Sequence, residues 1–155
     1  MSTILRSFEV RDSEELKRLK TLFEQEMQWS PSTTFIEEFI KIVAGISKKD
    51  SALVKLAVVD DKMVGYCIAT KDLHTYEGVV LDVTMDSAYI WDMYVLKDFR
   101  HKGIGKQLLD TMIQYLKSIG KKNVFMIVNV WNEDGKKFYE RNGFRTWGYF
   151  LRRQI

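Results

Sequence analysis

Apolar residues return along the start of the chain with the period of a helix. Leu16, Leu19, Leu22, Phe23 and Met27 recur every three or four positions. Asp12 or Ser13 stands where a cap belongs, and Glu14 and Glu15 occupy the first turn. After Pro31 the spacing restarts in Phe35, Ile36, Phe39, Ile40 and Val43, which predicts a second helix ending near Gly45. The pattern then changes. "ALVKLAVV" and "MVGYCIAT" are β-rich runs around Asp60-Asp61-Lys62, the signature of a hairpin. Residues 71–87 show no firm period, and "GVVLDVTM" within them fits a strand or an ordered loop. "AYIWDMYV" predicts a strand. Residues 104–119 predict a helix with Leu108, Leu109, Met112, Ile113 and Leu116 inward, and Gly120 ends it. "NVFMIVNV" reads as a buried strand and 133–141 as a short helix stopped by Asn142-Gly143. "FRTWGYFLRRQI" closes the chain as one strand or a tight hairpin.

The predicted order is ααββ(β)βαβαβ. Strands dominate its first half and strand–helix alternation its second, so the fold class is α/β with a mixed sheet and helices on both faces. The strand from Tyr89, the helix from Ile104 and the strand from Val124 form a right-handed crossover, which makes those two strands parallel neighbours.

Composition narrows the function more by exclusion than by assertion. At 155 residues and 46% hydrophobic content, one domain with a real core is expected. No internal repeat, secretory leader or long apolar span is visible, and the expected location is cytoplasmic. The single cysteine, Cys67, lies in an apolar run and reads as a packed thiol. A net charge of +3 without a basic stripe does not indicate nucleic acid, and no membrane partner is expected. His74 and His101 are too few and too scattered for a metal site.

The chemistry is concentrated in "YVLKDFRHKGIGKQLLDTMIQYL", where an apolar strand becomes a basic, glycine-punctuated turn and then an amphipathic helix. A Walker loop fails, because Gln107 follows Gly105-Lys106 and Arg100 stands at the first glycine position. A dinucleotide fingerprint fails, because Leu108 replaces its third glycine. What remains is RxxGxG, from Arg100, His101 and Lys102 through Gly103, Ile104 and Gly105 to the flanking Lys106. N–H groups opening a helix have no intrahelical partners and carry partial positive charge. Glycines keep side chains off them, and Arg100 and Lys102 add charge. Such a turn can seat a diphosphate. An ordinary tight strand-to-helix turn is the bland alternative. A second motif, "VWNEDGKKFYERNGF", follows about thirty residues later. Asn132 precedes a short helix, and Tyr139 lies two turns along on nearly the same face. Asn132 as a simple N-cap and Tyr139 as a half-buried aromatic are the bland alternatives.

RxxGxG after a strand, followed by N-x(6)-Y-x(3)-GF, resembles the GCN5-related N-acetyltransferase superfamily across residues 88–144. Within it the chain looks most like the small-amine branch of diamine, polyamine and aminoglycoside acetyltransferases. The resemblance implies an acyl-CoA N-acyltransferase fold: a mostly antiparallel central sheet with one splayed parallel strand pair. It also implies acetyl-CoA as donor. The diphosphate would rest on the N–H groups of residues 101–106, and the pantetheine arm would pair with Met93, Tyr94 and Val95 like an added strand. The Val95 N–H would hold the oxyanion, and Tyr139 would protonate the leaving thiolate. Asp92, which interrupts an apolar strand, would act as base or hold the substrate's ammonium. Diamine acetyltransferases carry an acidic pair here, whereas this chain has Trp91 in the first position.

For the acceptor, the resemblance points to the turn between the first two helices. Glu24, Glu26, Glu37 and Glu38 flank it with Trp29 and Phe35, and would form an acidic, aromatic rim for a cationic amine; two solvated helix faces are the alternative. Trp91, His74, Tyr76, Glu77, Asp82 and Asp86 belong to the same expected opening. With little chain after Phe144, the site would be open or completed by a second subunit, in a homodimer. Three functions stay open: acetylation of a small amine, acetylation of a protein amino group, and a coenzyme-A-binding module without catalysis.

Overall fold

The computed structural model describes residues 2–27, 32–47, 52–71 and 86–148. They fold around one five-stranded sheet whose spatial order follows the chain, β1-β2-β3-β4-β5. The strands are β1 (Ile4–Ser7), β2 (Ala52–Val59), β3 (Lys62–Thr70), β4 (Ser87–Val95) and β5 (Asn123–Phe125). Helices α1 (Ser13–Glu26) and α2 (Thr33–Ser47) precede β2, α3 (Ile104–Ser118) joins β4 to β5, and α4 (Glu133–Arg141) follows β5. The first four strands pair antiparallel, and β4 pairs with β5 in parallel, as the crossover predicts.

Both faces of the sheet are covered. Leu16, Leu19, Phe39 and Val43 of α1 and α2 pack with Leu56, Tyr66, Ile68 and Tyr94 on one side. Ile104, Leu108, Leu109, Met112 and Leu116 of α3 pack with Ala57, Cys67, Ala69, Ala88 and Ile90 on the other. That sandwiching explains why "MVGYCIAT" reads as an unbroken apolar run: β3 is central and buried on both faces from Met63 to Ala69. The β2–β3 turn is two residues, Asp60 and Asp61, both at positive φ, the twist that matches a hairpin.

Three expectations need correction. β1 was not legible; its four residues earn a place only by pairing with Lys55 to Val58 of β2. The expected long strand "NVFMIVNV" shrinks to Asn123–Phe125, and its side chains are at most half-buried. Past Phe125 no ladder continues among the described residues. The closing segment is not strand over residues 144–148, and its remainder lies outside the described residues, as does "GVVLDVTM".

Candidate active site

β4 outruns its parallel neighbour. Pairing with β5 stops at Tyr89 opposite Phe125, while β4 continues to Val95. The Leu96 N–H donates to the Val64 carbonyl at 2.8 Å. Backbone groups alternate sides along a strand, so Met93 and Val95 turn theirs away from β3, toward the gap β5 has vacated. Among the described residues the N–H groups of Met93 and Val95 have no partner. One extra residue, Trp91, bulges from β4 where the register with β3 shifts, placing both Trp91 and Asp92 toward α1 and α2. Trp91 stacks on Phe39 with ring centroids 5.2 Å apart.

The free edge runs into the glycine turn. His101 (φ 60°) and Gly103 (φ 81°) are both left-handed, and Gly103 caps α3. The first bond of the helix runs from the Gln107 N–H to the Gly103 carbonyl at 3.0 Å. The N–H groups of residues 101–106 therefore lack partners among the described residues, at the positive end of a 15-residue helix. Gly105 is less constrained by the protein itself: a Cβ there would meet Met93 and the Phe138 ring at an ordinary 3.5 Å. Ile104 is buried in the core, His101 is exposed, and the Lys106 ammonium pairs with Asp110 at 2.6 Å. The Lys102 ammonium folds back onto the Asp98 carbonyl at 2.8 Å.

Arg100 sits differently from the expectation that it charges this seat. Its Nε donates to the Val95 carbonyl at 2.9 Å, and a terminal N–H donates to Glu26 at 2.5 Å. The Tyr94 hydroxyl donates to the other Glu26 oxygen at 2.5 Å, and the guanidinium lies 5.4 Å above the Tyr94 ring. Glu26 thus clamps the end of α1 to β4 and to the turn. Burial, then the Glu26 carboxylate, raise the Tyr94 pKa well above the ordinary phenol value.

On the α3 side, Asn132 caps α4, its Oδ1 accepting from the Gly135 N–H at 3.0 Å. Tyr139 is edge-on to Phe138 at 5.1 Å and to Phe144 at 5.6 Å. It joins the cluster that holds Met93 and Cys67. Burial first, with smaller contributions from the neighbouring Cys67 and Asp92, pushes its pKa up, so the phenol stays protonated. Burial likewise pushes up the Cys67 thiol, which makes it inert.

On the opposite face lies a buried polar cluster. Asp92 Oδ2 accepts from the Lys20 ammonium at 2.7 Å and from the Tyr66 hydroxyl at 3.3 Å. Lys20 also pairs with Glu24 and lies over the rings of Phe39 (4.7 Å), Phe23 (4.8 Å) and Phe35 (5.8 Å). Burial works against the Lys20 charge, but the two carboxylates more than offset it and its pKa rises. Glu24 is fully buried, so it forms no part of an exposed acidic rim. Of the other rim residues, Glu37 is exposed 3.6 Å from Lys17, Glu38 is exposed, and Trp29 lies outside the described residues. His74, Tyr76, Glu77 and Asp82 are also outside them; Asp86 pairs with Lys122 at 2.7 Å. The sequence reasoning missed Lys20 and Tyr66. A signal existed, since Lys20 and Glu24 occupy the same i, i+4 stripe as Leu16.

Residues 16–144 match the Acetyltransferase (GNAT) family, and the chain belongs to it. N-alpha-acetyltransferase 30 of Schizosaccharomyces pombe is 29% identical over 100 residues, which are 62% of this chain and 62% of that protein. The chain therefore matches less than two thirds of that relative's length. Among solved structures, PaiA N-acetyltransferase from Thermoplasma acidophilum in complex with coenzyme A superposes with a TM-score of 0.73 at 21% identity, covering 94% of this chain and 91% of that one. AAC(6')-Iy in complex with a CoA-S-monomethyl-acetylneamine bisubstrate analog gives 0.75 at 17% identity, covering 100% of both. These structural likenesses establish a shared fold.

Proposed function

We propose that the protein transfers the acetyl group of acetyl-CoA to a primary amine. One observation carries the reading: the unpaired edge of β4 runs straight into the unpaired N–H groups that open α3. A diphosphate suits the turn at residues 101–106, and an extended amide-bearing arm suits the strand edge. Arg100 already holds the Val95 carbonyl, which leaves Met93 to pair with the arm and the Val95 N–H to meet the thioester oxygen. There it would stabilise the oxyanion formed when a neutral amine attacks the carbonyl carbon. As the carbon–sulfur bond breaks, Tyr139 would give its proton to the thiolate. Asp92 Oδ2 already has two donors, so we assign Asp92 to holding this site in place and the amine's proton to water.

The acceptor has two readings. A small cationic amine follows from the resemblance to the small-amine branch, although Trp91 replaces the first acid of the diamine enzymes' pair and Glu24, Glu26 and Asp92 are each charge-paired. A protein amino terminus is favoured by the relative in Schizosaccharomyces pombe. Release of free thiol from acetyl-CoA, followed across polyamines, aminoglycosides, amino acids and peptides, tests both. Coenzyme binding without thiol release for any amine would leave a silent coenzyme-binding module. A homodimer belongs to the same proposal, supported by the exposed Val130, Trp131 and Trp147; light scattering that reads a monomer removes it.

A further inference from the structure

The cluster around Lys20 has the composition of a receptor for an alkylammonium ion. Two carboxylates, a hydroxyl behind one of them and aromatic faces within 6 Å are the groups that recognise such a cation. Here the cation is supplied by the protein itself. Lys20 is buried with its ammonium on Asp92 at 2.7 Å and over Phe39 and Phe23 at 4.7 and 4.8 Å. The receptor holds more carboxylates than its occupant has charges, since Glu24 and Asp92 face one Lys20. Glu24 has no exposed surface, and neither of its oxygens receives a well-formed hydrogen bond among the described residues. It is a carboxylate aimed into the cage with only an ion-pair partner.

The cage shares β4 with the proposed reaction centre. Asp92 is three residues from Val95 along β4, about 10 Å at the ordinary strand rise, a span that an alkyl diamine can bridge. Without Lys20, a substrate attacking beside Val95 could place a second ammonium between Asp92 and Glu24. With Lys20 in place, that ammonium meets a like charge in a filled pocket.

We propose that Lys20 is a specificity-determining residue that occupies the subsite for a second ammonium group, so that the enzyme acetylates monoamines and refuses diamines. The assignment rests on the acetyltransferase reading above. It accounts for Glu24 and Asp92, two of the acids that suggest a cationic substrate in the sequence, pairing inside the fold.

The test compares pentylamine with diaminopentane on the wild type, on Lys20→Gly, and on Lys20→Gly combined with Glu24→Gln. The double substitution keeps the net charge of the cluster and guards against failure to fold. We expect the wild type to prefer the monoamine by about tenfold or more in kcat/KM, and the variants to lose or reverse that preference. A second readout does not depend on turnover. Millimolar butylammonium should raise the thermal midpoint of the glycine variants but not of the wild type, while butanol should leave all of them unchanged. An active wild type that uses diamine as well as monoamine would overturn the Lys20 assignment alone. So would the absence of ammonium-selective rescue in both variants. Absence of acetylation with every amine would fall on the acetyltransferase reading.

Discussion

Tyr139 illustrates how much a single side chain's role depends on what surrounds it. Its phenol is wedged against Phe138 and Phe144, and burial keeps it protonated far above neutral pH. The role proposed for Tyr139, donating to a departing thiolate, requires a protonated phenol, and burial keeps it so. Replacing Tyr139 with Phe should lower kcat by about a hundredfold and leave the coenzyme dissociation constant within about twofold, because only proton transfer is removed. Stopped-flow turnover and calorimetry on one variant check the pair; undiminished kcat would assign the proton to another group. Gly103 makes a different point. Its φ of 81° lies in the left-handed region, so Gly103→Val should cost about 1–2 kcal/mol of stability, read from a urea midpoint. Its nearest neighbour to an added Cβ is 3.8 Å away, so the loss would come from the backbone and not from a clash.

At the scale of elements, the decisive object is the clamp at the end of α1. Glu26 receives hydrogen bonds from Tyr94 of β4 and from Arg100 of the glycine turn, and so fixes the helix against the strand edge. It also holds a guanidinium that could otherwise meet a phosphate. Glu26→Gln should weaken that hold and let Arg100 swing toward the diphosphate. Coenzyme affinity should then tighten by a few fold and become more sensitive to salt, measurable by titration at two ionic strengths. An unchanged dissociation constant would show that Val95 alone anchors Arg100. The bulge at Trp91 belongs to the same scale. By turning both Trp91 and Asp92 toward α1 and α2, it sets the Lys20 cage on the face of the sheet opposite α3.

Across the molecule, a few titratable groups buried between the sheet and its helices shape the response to pH. Tyr66, Tyr94 and Tyr139 are raised first by burial, and Lys20 is raised because its carboxylates outweigh burial. For a raised pKa the stabilisation is intact below the unfolded value and is lost as pH climbs toward the folded one. Thermal unfolding should therefore show a steady midpoint up to about pH 10 and a steep fall above it. At the other end, Arg6 holds Asp12 below the usual carboxylate range with two 2.7 Å bonds, tying β1 to α1. That contribution is present above about pH 4 and fades as pH falls through the lowered pKa, and Asp12→Asn should flatten the acid limb of the same curve. The helices, the β2–β3 hairpin, the parallel crossover and the glycine turn were legible from the residues alone, because each is written in neighbouring positions whose spacing or backbone preference acts locally. The sequence could not show that β1 pairs, that β5 stops at Phe125, that Arg100 turns away from its own loop, or that Lys20 fills an acidic cage. Those outcomes depend on groups as far apart as Lys20 and Asp92, or Glu26 and Arg100, meeting across the packed layers, and only the tertiary structure chooses such partners.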